Sequence, residues 1–225
     1  MSKYQEAFNL SLSDPEKFWG KAADQVKWIK KYDKVVHCDE PPFYRWFKGG
    51  KINTCYNALD RHVDEGNGDR TALIFDSAMT NTKKKYSYKE LRDKTAKLAG
   101  GLLRQGVKKG DRVIIYMPMI PQAIQAMMAC ARIGAVHSVV FGGFASNELA
   151  SRIDDSGAKV ILSASCGLEP GRTVDYKPLL EGAIKLAKHK VEKVVVYQRD
   201  VQTMDLSDGF VDWNEFIEGA PEAEC

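Results

Sequence analysis

Hydrophobic and polar positions fall into two regimes along the chain. From residue 70 onward, short apolar runs alternate with segments whose apolar residues recur every three or four positions. The runs predict strands at 71–75, 84–86, 112–117, 136–141, 160–164 and 193–197. The longer-period segments predict helices at 88–105, 121–133, 147–156, 177–188 and 213–218. Ser87 with Glu90 reads as a capping box, and Gly106 and Gly134 read as helix stops. Strands alternating with helices of this length need crossover connections. The predicted fold is therefore α/β, with a mainly parallel sheet and flanking helices. The sharpest unit spans 116–144, where Arg132 is the only charged residue. A helix this apolar is predicted to be buried inside a sizeable domain. Its closing loop, Gly142-Gly143, lies just past a strand's carboxyl end, where open parallel sheets place ligands.

Residues 1–69 follow a different rule. Ser13 reads as a helix cap with Glu16 closing the box, and Pro15 is tolerated in the first turn. Phe18, Trp19, Ala22, Ala23, Val26 and Ile29 form the apolar side of that helix. An irregular stretch follows, with Pro41-Pro42, Gly49-Gly50 and the rings of Phe43, Tyr44, Trp46 and Phe47. It predicts an aromatic-rich extended arm clamped on the main body. Asn53 reads as the next cap, with Tyr56, Leu59 and Val63 as the stripe behind it. The expected organisation is an N-terminal arm over 1–69 and an α/β domain over 70–225. The C-terminal Ala-Pro-Glu-Ala-Glu-Cys225 reads as an interrupted chain with nothing packed behind it, so a fragment is expected.

Composition narrows the function classes. The 225 residues carry 33 basic and 30 acidic side chains, a net charge of +3. That balance offers no electrostatic case for nucleic acid or a membrane surface. Lys83-Lys84-Lys85 and Lys108-Lys109 read as solvated turn edges. No apolar run approaches the ~18 residues needed for a membrane span. Five cysteines at wide spacings, without a CxxC, predict reduced thiols in an intracellular compartment. Neither a secretory signal core nor an Arg-rich presequence is visible. The four histidines are scattered without zinc-site spacing, so no metal ligand set is expected.

Candidate chemistry is sparse. The chain has no GxxxxGK[ST] loop, no GxGxxG after a strand and no GxSxG elbow. No catalytic residue is nominated. Gly142-Gly143 would let a ligand approach the backbone, with Phe141 and Phe144 as flanking apolar surface for a purine. The same residues also suit a tight structural turn. Glu169-Pro170-Gly171-Arg172 follows another strand and would aim Arg172 outward, where a guanidinium can grip a phosphate. A plain surface arginine remains the alternative. One helix separates the two strands, so both loops are expected on the same sheet edge. Asp60-Arg61-His62 lacks a nearby nucleophile and reads as a structural hydrogen-bonding element. Asp154-Asp155 reads as a solvated helix end, and Met117, Met119, Met127 and Met128 read as core filler.

These residues resemble a known family. DPEKFW (14–19), RWFKGGKIN (45–53), YNALDRH (56–62), YMPMIPQA (116–123), ARIGAVHSVVFGGF (131–144) and EPGR (169–172) follow, in order, the N-terminal part of the short-chain acyl-CoA synthetases. These are the acetyl-/propionyl-CoA synthetases of the adenylate-forming enzymes. The resemblance implies an acid–thiol ligase. In such an enzyme a short-chain carboxylate attacks the ATP α-phosphate, and the CoA thiol then displaces AMP from the acyl-adenylate. It places CoA contacts at Phe141, Gly142 and Gly143 and at Glu169, Pro170, Gly171 and Arg172. It places the ATP and magnesium (Mg) sites outside this chain. Glu169 departs from the arginine common in acetate-type enzymes; with RIDD (152–155) and YKPLL (176–180) it looks more like the propionate-preferring branch. Relatives of this kind work in the cytosol or the mitochondrial matrix. The competing expectation is a catalytically inactive α/β module that binds a nucleotide or protein partner.

Overall fold

The computed structural model describes residues 2–225. Two helices, α1 (Lys3–Ser13) and α2 (Pro15–Ala23), open the chain. Asp14, not Ser13, caps α2: its carboxylate accepts from the Lys17 N–H at 3.0 Å. Ser13 is the last residue of α1, a helix the sequence pattern did not announce because it buries no residue. Since α2 ends at Ala23, Val26 and Ile29 lie beyond its stripe.

The irregular arm is a β-hairpin. β1 (Lys34–Glu40) pairs antiparallel with β2 (Phe43–Lys48) around Pro41-Pro42. Of its rings, Phe47 packs on Trp28 and Tyr32 from the segment just before it, with centroids 5.0 to 5.6 Å apart, and Trp46 meets Trp19 of α2 edge-on. Phe43 and Tyr44 remain exposed, so the aromatic arm is not clamped along its whole length. Asn53 does cap the next element, accepting from the Tyr56 N–H. That element is a π-helical turn over 56–60 that runs into α3 (Arg61–Asp64).

β3 (Thr71–Ser77) and β4 (Thr82–Ser87) form a second hairpin, separate from the main sheet. The Ser87–Glu90 capping box then opens α4 (Tyr88–Arg104), with both reciprocal hydrogen bonds made. β5 (Arg112–Met117), α5 (Pro121–Ile133) and β6 (Val136–Phe141) follow. Gly134 ends α5 at φ 71°, a left-handed conformation open to glycine without steric cost. α6 (Ser146–Ser156), β7 (Val160–Ala164), β8 (Cys166–Glu169), β9 (Arg172–Asp175), α7 (Lys177–Leu186), β10 (Lys193–Tyr197), β11 (Phe210–Asp212) and α8 (Trp213–Ile217) complete the chain.

The central sheet is parallel, in the order β11-β10-β7-β5-β6. Side chains on its strands alternate between two cores. Val113, Ile115, Val160, Leu162 and Val195 pack with α4, α5 and α8 on one face. Ile114, Tyr116, Ile161, Val194 and Val196 pack with α6 and α7 on the other. A strand covered on both faces reads as a continuous apolar run, which is why these strands were plain in the sequence. Fully burying a Val, Leu or Ile contributes about 1.5–3 kcal/mol, so this double-faced core dominates the fold.

The C-terminal segment is packed, contrary to expectation. Ala223 is buried and its N–H donates to the Ala96 carbonyl. Gly100 of α4 makes this possible, because a Cβ there would sit 1.7 Å from the Pro221 carbonyl oxygen. Arg104 fastens the same region by donating to the Phe216 and Glu218 carbonyls.

Candidate functional site

β5 lies between β6 and β7, and the chain leaves these strands toward opposite faces: α5 follows β5 on one side, α6 and α7 the other. Such a switch leaves a crevice at the carboxyl ends of the strands. A cleft of about 400 Å³ lies there. Met117 to Ile120 from the end of β5, Phe141 to Gly143 from the end of β6, and Gly167 to Glu169 on β8 all line it. The β3–β4 hairpin supplies a wall through Phe75 to Met79. The two loops singled out in the sequence therefore meet here only through Glu169; Gly171 and Arg172 line a neighbouring depression with Met79, Leu168 and Thr173.

The glycines matter through close approach. A Cβ on Gly142 would stand 2.1 Å from the Tyr176 hydroxyl oxygen, and one on Gly167 would stand 2.8 Å from it. Tyr176 is buried under the cleft, between these two backbones, with its ring 4.9 Å from that of Tyr116. A Cβ on Gly143 would meet the Phe141 ring at 2.7 Å. The small residues thus let Tyr176 close the floor and let Phe141 fold over the loop. Phe141 itself is 70% exposed and meets Phe144 edge-on at 5.8 Å. The Tyr116 hydroxyl donates to the Phe144 carbonyl at 2.8 Å and fixes the far end of the turn. Sequence reasoning missed both tyrosines, because neither forms a local motif. Burial pushes the Tyr116 phenol up to about 12, and burial likewise raises Tyr176.

Glu169 and Arg172 are not free on a loop. They face each other across the β8–β9 hairpin, with Pro170-Gly171 as its turn. Both the Arg172 Nε, at 2.7 Å, and the Nη2, at 2.6 Å, reach the Glu169 Oε2. Arg172 points outward as expected, but its charge is already met. The methionine reading holds for Met117 and fails for Met119: Met117 is buried, whereas Met119 is 87% exposed on the cleft rim. Asp154 is more than a solvated helix end, since its carboxylate accepts from the N–H groups of Lys188 and His189.

Asp60 has the structural role expected of it, with a partner that was not foreseen. The buried Arg132 guanidinium donates to both its oxygens, at 2.7 and 2.9 Å. Asp60, Cys55 and Cys225 form the one group among the described residues whose ligand atoms could converge on a metal. Arg132 also reaches the Cys55 sulfur at 3.5 Å. A resident guanidinium and two thiols do not suit magnesium, which prefers several oxygen ligands.

Fold and cleft together define an α/β domain with its candidate site at the carboxyl edge of a parallel sheet. The acetoacetyl-CoA synthetase from Streptomyces lividans has the same fold: TM-score 0.87, covering 100% of this chain and 34% of that one, at 23% identity. The profile of the AMP-binding enzymes matches residues 59–222, and that of the acetyl-coenzyme A synthetase N-terminus matches residues 4–58. The chain belongs to the AMP-binding enzyme family. It is 50% identical over its full length to the human "Acyl-CoA synthetase short-chain family member 3, mitochondrial", covering 33% of that protein. It is 43% identical over 95% of its length to the acetyl-coenzyme A synthetase of Streptomyces coelicolor, again covering 33%. The chain thus spans about a third of the length of these relatives. No helix among the described residues is long and apolar enough to cross a membrane.

Proposed function

We propose that these residues form the CoA side of an acid–thiol ligase. The whole protein would activate a short-chain carboxylate, acetate or propionate, with ATP and Mg to an acyl-adenylate, and then pass the acyl group to CoA. The observation that carries this reading is the single cleft shared by Phe141, Gly142 and Gly143 and by the Glu169 end of the β8–β9 hairpin. An exposed ring beside backbone free of Cβ atoms suits a purine face. The hairpin turn, with Pro170, Gly171 and Arg172, would stand beside the phosphates. Family membership and the names of the relatives support the reaction class. The Glu169–Arg172 pair, in place of two cations, supports the propionate-preferring branch. The mitochondrial designation of the human relative supports a matrix location. The ATP and Mg contacts are assigned to the longer protein rather than to these residues.

The test is product formation by the full-length protein. Acyl-CoA and AMP should appear together, dependent on acetate or propionate, ATP and CoA. Tight CoA binding without turnover on any short-chain carboxylate would instead favour a binding module.

A further inference from the structure

The charges around the cleft do not cancel. Its lining holds two acids, Asp76 and Glu169, and one cation, Arg199. Each acid already has a cationic partner: Lys83 lies 3.1 Å from Asp76, and Arg172 lies 2.6 Å from Glu169. Among the described residues, Arg199 has no carboxylate within ion-pair distance. One of its guanidinium N–H groups donates to the Cys166 carbonyl at 3.0 Å. A guanidinium has five N–H donors, so capacity for an anion remains.

Arg199 is also held in place from behind. Its backbone N–H donates to the Ser165 hydroxyl oxygen at 2.9 Å, and that hydroxyl donates to the Gln202 carbonyl at 2.6 Å. The Gln202 N–H closes the turn on the Arg199 carbonyl. A cation fixed at both its backbone and its guanidinium loses little freedom when it meets a ligand.

We propose that Arg199 is a phosphate-gripping residue of this cleft. Unlike Arg172, which already meets Glu169, it brings an unpaired positive charge to the nucleotide half of CoA. This rests on the reading of the cleft as a CoA site. The shared chemistry is a phosphate oxygen, which could come from the 3′-phosphate or from the diphosphate. CoA and dephospho-CoA, which lacks the 3′-phosphate, separate the two.

The experiment measures CoA and dephospho-CoA affinity by calorimetry in the full-length protein. The main variant is Arg199→Gln, which removes the charge but keeps an N–H for the Cys166 carbonyl. Losing a charged hydrogen-bonding partner should weaken CoA by about tenfold or more, and Arg199→Lys should recover part of the loss. A loss for CoA alone assigns the 3′-phosphate; an equal loss for both ligands assigns the diphosphate. Phe141→Ala serves as the control on the site itself. If Phe141→Ala weakens CoA and Arg199→Gln does not, the cleft stands and the role of Arg199 is overturned. If neither variant weakens CoA, the site reading falls and the proposal falls with it.

Discussion

Arg132 and Asp60 form a bidentate ion pair across 72 residues of sequence, with both side chains buried. Arg132 is the only charge of the most apolar unit in the chain, and Asp60 lies in the segment that follows the aromatic hairpin. The same arginine donates to the Ala223 carbonyl, while its own carbonyl accepts from Asn53. Three distant stretches therefore meet at one arginine. Removing one partner of a buried pair leaves an uncompensated charge, at a cost of about 3–5 kcal/mol. Asp60→Asn or Arg132→Met should each lose stability on that scale in urea unfolding. Asp60→Leu combined with Arg132→Met should recover most of it. Single variants as stable as the parent would show that the pair does not tie these segments.

The floor of the cleft gives a steric prediction. Gly142→Ala places a methyl group against the Tyr176 hydroxyl, and overpacking of this kind costs about 1–3 kcal/mol. Tyr176→Phe removes the oxygen that a Cβ would meet first, leaving the ring carbon at 3.0 Å. The double variant should be more stable than Gly142→Ala alone, as read from melting curves. Equal melting temperatures would refute the contact.

Much of this arrangement was legible in the sequence, and the limits have a physical pattern. The strands at 112–117, 136–141, 160–164 and 193–197 fall where the apolar runs placed them; burial on both faces leaves an unbroken signal in the first, third and fourth, whereas 136–141 is a largely exposed edge strand. α5 likewise matches, from its opening proline to Gly134. The β8–β9 hairpin read only as a turn, because its strands are four residues long and lie outside the main sheet. β11, with three residues, carries no periodicity at all. Both cleft loops were found through their glycines and prolines. Arg199 and Tyr176 were not, since what marks them is their surroundings: acids already paired, and glycine backbones pressed against a phenol.

Glu169 sets the charge of the hairpin turn. The pair with Arg172 is exposed, with side-chain exposures of 42% and 70%, so its contribution to stability is at most about 1 kcal/mol. Glu169→Gln should leave the melting temperature almost unchanged and free Arg172 for an anion. CoA affinity should then rise by up to about fivefold. Unchanged or weaker CoA binding would mean that the turn does not face the ligand's phosphates.

The two buried tyrosines define an alkaline limit. Burial penalises the phenolate, so the folded protein holds Tyr116 at about 12 against an unfolded value of 10.0. A raised pKa means that the neutral form is favoured by folding. The stabilisation is complete below pH 10 and is lost as the pH rises toward about 12. Tyr176 shifts in the same direction. In an ultraviolet titration of phenolate, these two should ionise after the exposed tyrosines and together with loss of the fold. Tyr116→Phe should remove part of that late step. Full phenolate formation near pH 10 with the fold intact would contradict the burial argument.

We propose that the cleft beside Phe141 receives the nucleotide half of CoA and takes no part in forming the adenylate. The direct measurement compares two half-reactions of the full-length protein in the parent and in Phe141→Ala. Removing a stacking ring costs about 1–3 kcal/mol, so the KM for CoA should rise by about fivefold or more. Carboxylate-dependent ATP–pyrophosphate exchange, which needs no CoA, should continue at close to the parent rate. An unchanged KM for CoA, or an equal loss in both half-reactions, would show that CoA does not bind beside Phe141.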